Sequence, residues 1–178
     1  MQEHVIVDSS YSAIINAPIE QIDIPSWCFS LPDDEYQGCS PAHFAAGATT
    51  SRDGKRMSIN VEVLGGVPMV QHYVEQVAEK HHLVLDSVSD LFTSSGRTSL
   101  LVMWELSVKP LGAGKCEFTN HVRSRATEHF LDYLARQGIP FELFRTQREP
   151  ISTAHNRQET PFFAASIERH ALRRVQAT

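Results

Sequence analysis

Lys55-Arg-Met-Ser-Ile-Asn-Val-Glu-Val-Leu64 alternates with a period of two. Met57, Ile59, Val61 and Val63 fall on one face, and Arg56, Ser58, Asn60 and Glu62 on the other. That is the pattern of a half-buried strand. Residues 98–108 repeat it, with Leu100, Val102, Trp104, Leu106 and Val108 on one face and a partly apolar second face carrying Leu101 and Met103. Weaker strand patterns cover 5–15, 43–51, 69–79, 82–92 and 115–125. Turn signals separate most of them: Arg52-Asp53-Gly54, Gly65-Gly66-Val67-Pro68, Ser94-Ser95-Gly96 and Gly112-Ala113-Gly114. Six of these seven segments follow one another through short turns, which predicts an antiparallel meander rather than βαβ units.

Helical patterns flank the meander. Ala17-Pro18-Ile19-Glu20 opens a helical stretch, with proline tolerated in a first turn. Its partner over 24–38 is interrupted by Pro25 and Pro32, so these helices are short. Residues 127–137 read as a helix with Phe130, Leu131 and Leu134 apolar, closed by Gly138 and Pro140. Residues 139–160 read as irregular. A last amphipathic helix then opens at Thr160-Pro161 and runs to about Arg174, with Phe163, Ile167, Ala171 and Val175 on the face laid on the sheet. The expected architecture is α+β: a curved antiparallel sheet of about seven strands wrapped round a long C-terminal helix, as one domain over 1–178.

The totals narrow the function. With 178 residues, 42% apolar and 21% charged, the composition is ordinary globular. A net charge of −5 and no basic run argue against nucleic-acid binding. No apolar run approaches the roughly 20 residues of a membrane helix, and Met1–Asp8 does not read as a signal peptide. Cys28, Cys39 and Cys116 are odd in number and lack CxxC spacing, so a reduced, cytoplasmic setting is expected. There is no Gly-x-Ser-x-Gly, phosphate-binding glycine loop or dinucleotide fingerprint.

The order strand, two short helices, six strands and closing helix resembles the START/Bet v1-like superfamily, which includes polyketide cyclases and lipid carriers. The first strand running into Ala-Pro-Ile-Glu (14–20), the Asp53-Gly54 turn and the apolar closing helix carry the resemblance. It implies a helix-grip fold with a tunnel for a small hydrophobic or aromatic molecule. Tyr73 and Trp104 on the sheet, and Phe163 and Ile167 on the helix, are the expected walls. Arg123, on a strand face with His121 and Arg125, is a candidate anchor for a carboxylate or phenolate, if that face lines the cavity. Edge strands of such a sheet could pair two copies.

A narrower resemblance rests on Trp27-Cys-Phe, Tyr36, Ser40-Pro-Ala-His43, Val122-Arg-Ser-Arg125 and His155-Asn-Arg-Gln-Glu159. This pattern is similar to acylphloroglucinol (phloretin and diacetylphloroglucinol) hydrolases, zinc enzymes that cut the bond between an acyl group and a phenolic ring. The chain is much shorter than those enzymes. The resemblance implies a metal site of His43, Glu75, His155 and Glu159, with Glu79 nearly as well placed as Glu75. Zinc accepts such imidazoles and carboxylates. Against this, Pro161 disfavours helical geometry at Thr160, which sets His155 and Glu159 in the loop before the helix as plain solvated residues.

Three readings follow: a binding protein for a polyketide- or lipid-like molecule, an enzyme of the same fold (a zinc hydrolase or a metal-free polyketide cyclase), or a module for partner binding. Bound metal, a ligand in a dry pocket, or a filled core would separate them.

Overall fold

In the computed structural model, which describes residues 3–176 and side chains as far as Arg173, all seven strands form one antiparallel sheet. They are β1 (Val5–Ile15), β2 (His43–Thr50), β3 (Arg56–Leu64), β4 (Val67–Glu79), β5 (His82–Thr93), β6 (Gly96–Gly112) and β7 (Lys115–Ala126), in the order β1-β7-β6-β5-β4-β3-β2. The meander therefore runs from β2 to β7, and β1 closes onto β7 from Val5 to Ile15. Between β1 and β2 come a 3-10 turn (Ile19–Gln21), α1 (Ile24–Cys28) and α2 (Asp33–Gln37). Asp23 caps α1 by accepting from the Ser26 N–H at 2.9 Å. After β7 come α3 (Glu128–Arg136), capped by Thr127, and α4 (Phe141–Gln176).

The last helix differs from the sequence expectation. Residues expected to be irregular belong to α4, which runs 36 residues through Pro150 and Pro161. Both prolines are exposed and stand 11 residues apart, close to three whole turns, so they lie on one outer face. The carbonyl that loses its partner to Pro161 is that of Arg157, also exposed, and water can satisfy it. Thr160 is not an N-cap. It is buried in mid-helix, and its hydroxyl donates to the Asn156 carbonyl at 2.6 Å. The helix therefore carries His155 and Glu159 on its inner face. Phe163, Ile167 and Ala171 are buried as expected, whereas Phe162 is half exposed and the Val175 side chain lies outside the described residues.

The strand patterns hold, with one reversal. On β6 the apolar face, Leu100 to Val108, is the buried one. On β3 it is Ser58, Asn60 and Glu62 that are buried, while Met57, Ile59, Val61 and Val63 are only half covered. A strand whose polar face turns inward is facing something other than a hydrocarbon core.

Candidate metal centre and pocket

The inward polar face of β3 meets α4 across the concavity. There, ligand-capable atoms of His43, Glu62, His155 and Glu159 all lie within 4.8 Å of one another. His43 Nε2 is 3.0 Å from Glu159 Oε2 and 3.8 Å from Glu62 Oε1. His155 Nε2 is 3.2 Å from Glu159 Oε2 and 3.8 Å from Glu62 Oε2. The four side chains are between 0% and 10% exposed.

Each is aimed by a neighbour. His43 Nδ1 donates to the Tyr36 carbonyl at 2.8 Å, which leaves the Nε2 lone pair turned to the centre. The Tyr36 ring stacks on the His43 ring at 4.0 Å with 1° between planes. The same residue's hydroxyl donates to Glu62 Oε1 at 2.8 Å, so one buried tyrosine positions two members of the group. Asn120 donates to Glu159 Oε1 at 3.1 Å and accepts from Trp104 Nε1 at 2.8 Å. Ser40 Oγ lies 3.3 Å from His155 Nδ1. His155 and Glu159 are four apart on α4, hence on one ridge.

Burial works to lower the His155 pKa, but the Glu159 and Glu62 carboxylates outweigh it and lift the group to about 9. Burial works to raise the Glu159 pKa, and the nearby His155 charge together with the hydrogen bond from His43 pulls it well below the usual carboxylate range. Without a cation, then, a proton on His155 balances one of the two carboxylates.

These residues fit zinc. Bonds of about 2.0–2.1 Å at tetrahedral angles put ligand atoms roughly 3.3 Å apart, and the close pairs here span 3.0 to 3.8 Å. His155 Nε2 is buried with no hydrogen-bond partner, although a carboxylate oxygen is 3.2 Å away. It points at the middle of the group rather than along a hydrogen bond. The outer partners, a backbone carbonyl behind one histidine and donors behind both carboxylates, are those that orient metal ligands.

The sequence residues sort differently from expectation. His43, His155 and Glu159 come together. Glu75 does not join them: it stands six rungs along the β3–β4 ladder from Glu62, about 20 Å at 3.3–3.4 Å per residue. There it binds Arg56, through its backbone N–H at 2.9 Å and its guanidinium at 2.7 Å. Glu79 is exposed at the end of β4. The sheet carboxylate is Glu62, passed over because it sat on the polar side of a well-formed alternation. Arg123 is also displaced: it faces out and pairs with Glu3 at 2.6 Å and Asp8 at 3.4 Å. Its neighbours Val122 and Ser124 are the ones that line the pocket.

Glu62, His155 and Glu159 also line a pocket between the sheet and α4, with a cavity volume of about 60 Å³. Tyr73, Trp104 and Phe163 line it, with Leu100, Val102 and Met69, whereas Ile167 is buried in the core and not among the lining residues. Phe163 spans Trp104 at 5.8 Å and His43 at 5.8 Å, so the apolar wall reaches the ligand group.

No family model and no curated protein matches the chain. Solved structures do. The Zhui aromatase/cyclase of a Streptomyces species matches with a TM-score of 0.62 and 12% identity over 96% of both chains. A START superfamily protein of Mycobacterium smegmatis matches at 0.52 and 15%, over 96% of this chain and 99% of that one. The fold is that of the START/Bet v1-like superfamily. Norcoclaurine synthase of Thalictrum flavum, at a TM-score of 0.50 and 12% identity over 98% and 99% of the two chains, has the same helix-grip architecture. Such identities speak for the START-like fold alone. No helix among the described residues is long and apolar enough to cross a membrane.

Proposed function

We propose that this START-like protein is a zinc-dependent hydrolase acting on a small aromatic acyl compound held between the sheet and α4. The observation that carries this is the convergence of His43, Glu62, His155 and Glu159, with an unpartnered His155 Nε2, at one end of an apolar pocket. Fold neighbours that include an aromatase/cyclase and a START superfamily protein favour a small hydrophobic or aromatic occupant. The resemblance of Ser40–His43 and His155–Glu159 to acylphloroglucinol hydrolases favours hydrolysis over carriage.

In the reaction, the bond between the acyl carbon and the ring carbon breaks. Water supplies a hydroxyl to the acyl carbon and a proton to the ring, giving a carboxylic acid and the phenol. Zinc in such a site supplies Lewis acidity and an activated water near neutral pH. The chain supplies the rest. Glu62 and Glu159 balance the charge of the dication, and Tyr36 and Asn120 fix those carboxylates. Tyr73, Trp104 and Phe163 hold the ring and keep bulk water from the reacting carbon.

The test is turnover of acyl phenols by chelator-stripped and zinc-restored protein, followed by acid and phenol release. Hydrolysis that needs zinc and is lost in His155→Ala is expected. A zinc-loaded protein that binds such compounds and never turns them over would make it a carrier instead.

A further inference from the structure

The pocket contains a cation that nothing among the described residues neutralises by contact. Arg148, one helical ridge above Ser152 and His155, is 7% exposed and lines the cavity. Its Nη1 donates to the Leu64 carbonyl at 2.7 Å, and its Nη2 finds only the Met69 sulfur at 3.2 Å, a weak acceptor. Among the described residues it makes no ion pair within 4.0 Å. The β3–β4 turn packs against it: a Cβ at Gly65, where φ is +60°, would come within 3.2 Å of both Arg148 Nη1 and Ile151 Cδ1. A buried guanidinium left this way is costly unless something else pairs with it.

A second lining group is also unsatisfied. Gln71 is 5% exposed; its Nε2 lies 3.5 Å from Glu62 Oε2, and its Oε1 is buried without a donor.

We infer that Arg148 is the anion-recognition residue of the pocket, and that the ligand is a hydroxylated aromatic bearing a carboxylate or phenolate, its hydroxyl donating to Gln71 Oε1. The Arg148 and His155 backbones stand seven positions apart on α4, about 10 Å of rise at 1.5 Å per residue, while the Arg148 guanidinium reaches Met69, the cross-strand partner of Glu62. This rests on the pocket being the binding site and not on the metal or on turnover.

The experiment uses two probes that differ at one end, 3-(4-hydroxyphenyl)propionate and 3-(4-hydroxyphenyl)propan-1-ol, titrated calorimetrically into the whole protein with chelator and again with zinc. The acid should bind at least tenfold tighter than the alcohol in both conditions. Arg148→Met should erase that preference while keeping alcohol affinity and Tm, and Arg148→Lys should keep part of it. Equal affinities in the native protein overturn the inference whether or not the variants fold. So does a preference that survives Arg148→Met, or one that appears only with zinc. Failure of both probes to bind overturns it together with the pocket, whereas zinc content judges the metal centre separately.

Discussion

Tyr36 shows how much of the site one residue can hold. Its hydroxyl, its carbonyl and its ring face each engage a ligand-group member. Tyr36→Phe keeps the stacking and removes only the bond to Glu62. Leaving a buried carboxylate one donor short costs about 1–3 kcal/mol. Loss of an outer partner typically weakens metal binding 10–100-fold. Thermal unfolding and competitive zinc titration of that variant measure the two effects separately. At the same scale, His155 has a sign that can be tested. Its pKa of about 9 means that at pH 7 it carries a proton that a metal must displace. Zinc uptake should release close to one proton at pH 7 and less above pH 9, and affinity should rise as pH climbs toward 9. Calorimetry in two buffers of different ionisation enthalpy reads the proton directly.

Among the elements, α4 carries the sharpest difference between sequence and structure. Proline at 161 signals a helix start, and the rule fails because both prolines face water on a helix whose other side is held by packing. Pro161→Ala should then leave zinc content unchanged and raise Tm, by less than the roughly 3 kcal/mol a proline costs in a free helix interior. A start at Pro161 would instead give no gain. On the sheet, His121 of β7 reaches Asp8 of β1 at 2.7 Å and Glu105 of β6 at 3.1 Å. Burial works against its charge, but the two carboxylates prevail and raise its pKa. Its contribution is therefore full below about pH 6.5 and fades as pH rises through the higher folded value. Stability measured from pH 6 to 9 should fall less in His121→Gln than in the native protein.

The strands, their order and the closing helix were legible because alternation and turns are local signals, and strand ends fall within about three residues of expectation, apart from the long outer end of β6. His43, His155 and Glu159 were legible through the resemblance of Ser40–His43 and His155–Glu159 to a hydrolase motif, not through periodicity. Glu62 was in plain view, but alternation cannot say which face of a strand is inside. In β3 the polar face is, because it looks into a cavity instead of a core. Arg123 failed for the same reason in reverse: its strand face is the outer one.

At the scale of the molecule, a seven-stranded sheet closes on one long helix and leaves part of its core unfilled. Into that gap the fold brings two histidines and two carboxylates from β2, β3 and α4, the group proposed above to hold a divalent metal. Elemental analysis of untagged protein purified without chelators, beside Glu62→Gln, His155→Ala and Glu75→Gln, tests this most directly. The account predicts near one zinc per chain in the native protein and in Glu75→Gln, and loss in the other two. No metal in the native protein after zinc is supplied, or loss in Glu75→Gln with retention in Glu62→Gln, would contradict it.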